Sequence, residues 1–172
     1  MKMKTMIRQV ALTAAVLGMS GCASYKWTSD VPKEMRTVCV PTFRNESNVT
    51  ELGTIVPRQI LREFQREGTF RVAHIDEAAL EIQGIIKAAD SEYVGGDRRI
   101  GSRLAMNELQ MKAIVSVIDR RNGKVLVNNR EYTVTAPFTS GQDLATGQRN
   151  ASGRVAEDLA TKIVDDVLNM KW

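Results

Sequence analysis

Residues 108–135, ELQMKAIVSVIDRRNGKVLVNNREYTVT, decide the fold. From Glu108 to Ile118 the chain alternates: Leu109, Met111, Ala113, Val115 and Val117 point one way, and Gln110, Lys112 and Ser116 the other. Such a period of two is that of a strand with one buried face. The alternation stops at Asp119-Arg120-Arg121-Asn122-Gly123-Lys124, where Asn122-Gly123 is a strong tight-turn signal. A return strand then runs from Val125 to about Thr135, before Pro137 and Gly141 break the chain. Two long antiparallel strands with one apolar face need a cover, and the flanking sequence supplies it.

Upstream, residues 79–89 (ALEIQGIIKAA) alternate with the same period. Leu80, Ile82, Gly84, Ile86 and Ala88 fall on one face, and Glu81, Gln83 and Lys87 on the other. Residues 90–107 read as a loop rich in Gly and Arg. Short strands are expected at Met35–Val40, ended by Pro41, and at Phe70–Ala73, with a turn at TFRNESN between Thr42 and Asn48. Between them lies an amphipathic helix, roughly Glu51 to Glu67, with Leu52, Ile55, Val56, Ile60, Leu61 and Phe64 on one side. Thr54 as its N-cap would place Pro57 in the first turn, and Gly68 is the stop. A final helix spans roughly Gln148 to Met170, with Ala156, Ala160, Ile163, Val167 and Met170 as its apolar stripe. The expected fold is α+β: two helices packed on one face of a mixed, roughly four-stranded β-sheet, with the first helix as a right-handed crossover.

The N-terminus carries a different message. Lys2, Lys4 and Arg8 precede an apolar run from Val10 to Met19, followed by Ser20, Gly21 and Cys22. The run is too short to span a membrane and has the form of a secretion signal. A cysteine after small residues marks a lipoprotein, cleaved before Cys22 and acylated on it; the alternative is an ordinary cleavage nearby that leaves Cys22 free. The expected organisation is a signal at 1–21, a tether at 22–32 containing Tyr25 and Trp27, and one α+β domain at 33–172. Three of the 24 basic residues leave with the signal, so the mature chain has 21 basic against 20 acidic residues. That balance argues against a general nucleic-acid binder. Cys39, in Val38-Cys39-Val40, reads as a buried structural thiol.

Catalytic signatures are lacking: no HExxH, CxxC, GxSxG, P-loop or GxGxxG occurs, and His74 is the single histidine. No catalytic residue, metal ligand or cofactor other than a covalent lipid is expected. Glu157-Asp158 and Asp165-Asp166 read as a solvated helix face, with Arg154 and Lys162 spaced to pair with Asp158. Three basic groups remain. Arg58, Arg62 and Arg66 form a stripe on the first helix. Arg98, Arg99 and Arg103 occupy the Gly-rich loop, and Arg120, Arg121 and Lys124 crowd the turn. Arginine holds phosphate through a planar fork, so the loop and turn clusters suit a phosphorylated glycolipid; the alternative is solvated surface charge.

Five segments in order resemble the LptE family of lipopolysaccharide-assembly lipoproteins: Arg36–Asn45 (RTVCVPTFRN), Leu61–Val72 (LREFQREGTFRV), Ala79–Gly84, Val117–Leu126 (VIDRRNGKVL) and Arg154–Leu168. The resemblance implies two helices against a four-stranded sheet and no catalysis. It implies a place on the periplasmic side of the outer membrane, inside a large β-barrel partner of the LptD kind. There the chain would act as plug and assembly factor and bind lipopolysaccharide, with Arg98, Arg99, Arg103, Arg120, Arg121 and Lys124 as candidates. Two other kinds of outer-membrane lipoprotein share such a beginning: activators of peptidoglycan synthases and subunits of curli-type secretion pores. The former usually need a long spacer. The latter need lipid-facing strands, which Lys112, Arg130 and Glu131 do not suit.

Overall fold

The computed structural model describes residues 31–95, 105–140 and 144–172. The signal, Cys22, Tyr25, Trp27 and the loop arginines Arg98, Arg99 and Arg103 lie outside the described residues. After a 3₁₀ turn at Lys33–Met35 come β1 (Thr37–Cys39), β2 (Arg44–Asn45), α1 (Leu52–Glu67) and β3 (Arg71–Val72). Then follow β4 (Leu80–Gly95), β5 (Ala105–Asp119), β6 (Lys124–Ser140) and α2 (Leu144–Leu168).

One mixed sheet runs in the order β3-β1-β4-β5-β6, with β2 also beside β4. The pairs β1/β3, β1/β4 and β2/β4 are parallel, and β4/β5 and β5/β6 are antiparallel. The sheet has six strands where about four were expected. The difference lies partly in β2: two residues carry no legible period, and only their register with Ile85 and Ile86 makes them a strand. Both helices cover one face, as the periodicity predicts. Leu109, Met111, Ala113, Val115 and Val117 of β5 share one core with Val56, Ile60 and Phe64 of α1 and Ala156, Leu159 and Ile163 of α2.

β4 begins as read, with Leu80, Ile82 and Ile86 buried. A register shift between Ile86 and Ala88 then inserts an extra residue, so Ala89 rather than Ala88 turns inward. Gly84 also faces the core, and the ring of Phe43 fills the space where a Cβ would stand. The 90–107 segment is not all loop: β4 continues to Gly95 and β5 begins at Ala105.

α1 starts at Leu52, two residues before the expected cap. The Thr54 hydroxyl donates back to the Glu51 carbonyl at 3.0 Å instead of capping. Pro57 therefore lies in the second turn, where a missing N–H would normally orphan the carbonyl four residues earlier. That carbonyl, on Gly53, accepts the Phe43 N–H at 3.1 Å. A Cβ on Gly53 would come within 3.1 Å of the Phe43 carbonyl oxygen, so the small residue permits the approach. Gly68 ends the helix with φ of 87°, the left-handed cap expected of it.

β6 runs through Pro137 to Ser140 rather than ending near Thr135. Proline is tolerated because β6 is the outer strand of the sheet and owes no ladder bond on its free side. Side chains of α2 reach over that free side. Lys162 Nζ donates to the Thr133 carbonyl at 3.1 Å, and the Arg154 guanidinium donates to the Pro137 carbonyl. These are the two cations that spacing assigned to Asp158. Asp166 is not free on the outer face either: it accepts the Tyr132 hydroxyl at 2.7 Å and pairs with Arg130 at 3.2 Å.

Candidate ligand-binding site

The turn between β5 and β6 is built from its own side chains. Asp119, only 3 % exposed, accepts the Arg121 backbone N–H at 3.0 Å through Oδ1. The same carboxylate takes a two-point fork from Arg121: Nε to Oδ1 and Nη2 to Oδ2, each at 3.1 Å. Asn122 Oδ1 accepts the Lys124 N–H at 2.9 Å, and Gly123 supplies φ of 71°. Arg120 is tied to the sheet on both counts. Its N–H donates to the Ala79 carbonyl at 2.8 Å, and its guanidinium pairs with Glu81, which also accepts Gln83 Nε2 at 2.8 Å. Glu81 was expected on the solvent face; Arg120 and the sheet leave it 6 % exposed.

These contacts shape the electrostatics. The Arg121 fork holds the Asp119 carboxyl below the ordinary carboxylate range, and Asp119 in turn raises Arg121. Burial, helped by Glu81 and opposed by Arg120, pushes the Cys39 thiol up, so it is a protonated structural group. Of the three turn cations, Arg120 and Arg121 already neutralise buried carboxylates. Lys124 pairs with no carboxylate among the described residues and is exposed.

The other candidates are dispersed. Arg66 pairs with Glu63 and Arg62 donates to Gln59 at 3.0 Å, so the α1 stripe is a solvated face. His74 is exposed and meets Asp76 at 3.0 Å. No group of three potential metal ligands occurs among the described residues. No described helix is long and apolar enough to cross a membrane. Gly95 and Ala105, which flank the segment bearing Arg98, Arg99 and Arg103, lie at the opposite end of β5 from the turn. Fifteen residues of strand separate the two ends by about 48 Å. At that far end Tyr93, Val94 and Met106 are exposed at 67 %, 62 % and 54 %.

Sequence reasoning missed the carboxylates that hold the turn arginines. Asp119 at the close of an apolar strand, two residues before Arg121, was the available signal; the Glu81–Arg120 pair joins residues far apart in sequence and had none. It also missed a groove of about 460 Å³ on the flank of the turn, lined by Met35, Leu126, Met170, Trp172, Lys124 and Lys171 among others.

The architecture defines the class: an open-sheet α+β domain with both helices on one face and a basic turn at one end. Solved structures share it at low identity. A protein of Caulobacter crescentus CB15 has a TM-score of 0.54 at 15% identity, covering 78% of this chain and 90% of that one. One of Xanthomonas campestris has 0.53 at 14%, covering 80% and 88%. One of Chlamydia trachomatis has 0.51 at 12%, covering 78% and 96%. No curated protein sequence matches this chain. Residues 35–169 match the family model LptE, described as lipopolysaccharide-assembly, and the chain belongs to that family. Its role is therefore in lipopolysaccharide assembly.

Proposed function

We propose that this chain is an outer-membrane lipoprotein, acylated at Cys22 and facing the periplasm. In this reading it plugs and helps to assemble a large β-barrel translocon that delivers lipopolysaccharide to the cell surface. It performs no catalysis and takes no cofactor beyond the covalent lipid. The family match over residues 35–169 carries the reading. Lipopolysaccharide contact is assigned to Arg98, Arg99, Arg103 and Lys124 first. Arg120 and Arg121 take part only through the donors that Glu81 and Asp119 leave unused.

The test is to tag the C-terminus, extract the protein from membranes in mild detergent and identify what accompanies it. A large outer-membrane β-barrel in near-equal amount is the expected result. A peptidoglycan synthase, or only further copies of this chain, overturns the proposal.

A further inference from the structure

We infer that the groove beside the basic turn seats an anionic glycerophospholipid of the membrane that holds the anchor. The inference rests on the acyl anchor proposed at Cys22; it shares Lys124 with the lipopolysaccharide contact proposed above and adds Lys171, which that contact does not use.

The lining has the chemistry of a lipid headgroup boundary. Leu126, Met170 and Trp172 are partly exposed there, Trp172 resting against Phe70 at 6.2 Å between ring centroids. Val125 beside them is 49 % exposed; Met35 beneath them belongs to the buried core. Lys124 and Lys171 line the same groove, and neither pairs with a carboxylate among the described residues. The other charges nearby nearly cancel: Arg121 is held by Asp119, and Glu34 also lies within electrostatic reach of it. Two unopposed ammonium groups over an apolar floor complement one phosphodiester and the upper methylenes of its chains. Tryptophan and lysine together favour the boundary between hydrocarbon and water.

Position makes the encounter local. Pro32 lines the groove, and residues 23–30 are all that separate Val31 from Cys22. Eight residues extend at most about 28 Å, so an acylated Cys22 keeps this end of the domain within reach of the bilayer surface. The Tyr93–Met106 end, a β-hairpin length away, is not held there.

Trp172 is the reporter. Full-length protein carrying Trp27→Phe, which leaves Trp172 as the remaining tryptophan, is placed in nanodiscs of brominated phosphatidylcholine with or without phosphatidylglycerol. Quenching of Trp172 is expected with phosphatidylglycerol, and weaker quenching without it. Lys124→Ala and Lys171→Ala should each lower the docked-to-undocked ratio roughly fivefold, and added salt should lower it further. Circular dichroism of both variants should be unchanged, since each lysine is exposed. Equal Trp172 emission in all nanodiscs, or quenching that ignores the lysines, overturns the inference. So does complete reversal by inorganic phosphate at an ionic strength where sodium chloride leaves docking in place, which would reassign the lysines to a free anion. Failure of either kind would leave the barrel co-purification untouched, so the two readings fail separately.

Discussion

At the scale of single residues, a carboxylate buried next to an arginine does more for this protein than the arginine's net charge. Asp119 accepts three hydrogen bonds from Arg121 while almost fully buried. Asp119→Asn should cost about 1–3 kcal/mol, because it breaks the fork and leaves polar atoms unpaired. The pH dependence has a definite sign. The native carboxyl titrates below its ordinary 3.8, so the pair's contribution is complete above that value and is lost as pH falls through the lowered native pKa. Urea melts should therefore show the gap between wild type and Asp119→Asn closing under acid conditions. Arg120→Glu would set a second carboxylate against Glu81, so charge reversal there tests folding before it tests binding. Gly84→Ala would push a methyl group into the Phe43 ring and should cost about 1–3 kcal/mol, read as a lowered Tm.

Among elements, the outer strand β6 needs the most explanation. A long unpaired strand invites edge-to-edge association. Here α2 reaches across it with Arg154 on the Pro137 carbonyl, Lys162 on the Thr133 carbonyl and Asp166 on the Tyr132 hydroxyl. The double change Arg154→Glu with Lys162→Glu should free those carbonyls and raise self-association, measurable by light scattering. Tyr132 links the edge to pH. Burial and then Asp166 raise its phenol pKa above the ordinary 10.0, so its contribution is complete below pH 10 and declines as pH rises beyond it. Tyr132→Phe should cost about 1 kcal/mol at neutral pH and shrink the alkaline loss of stability.

For the whole molecule, the length of β5 separates the turn that bears Lys124 from Gly95 and Ala105, the described residues that flank the segment of Arg98, Arg99 and Arg103. Reversal of Arg98, Arg99 and Arg103 together, and of Lys124 alone, then probe different ends. If lipopolysaccharide is held near the loop, the triple reversal should abolish its binding in a pull-down while Lys124→Glu keeps most of it. Comparable losses from both would mean contact along the whole length. Reversal of Arg120 and Arg121 is a poor probe, because both brace the fold as well as carrying charge.

The sequence alone determined the amphipathic elements, because periods of two and 3.6 repeat over enough residues to show which face must be buried. The β5 face, the α2 stripe from Ala156 to Val167, the Asn122-Gly123 turn and the Gly68 cap were all legible, as was the buried Cys39, whereas Met170 falls past the end of α2 and is only partly buried. Tertiary structure decided what local pattern leaves open. The two-residue β2 exists through its partner alone, and the bulge after Ile86 resets which alanine is buried. Pro57 and Pro137 look like breaks in the chain. Each is accommodated by a distant group: Phe43 takes up the Gly53 carbonyl, and the outer position of β6 excuses the missing donor. The same distinction governs the basic turn. Its three cations are plain in the sequence, but which of them are free was settled by Glu81 and Asp119, since a charge is available to a ligand only after its nearest buried partner has been satisfied.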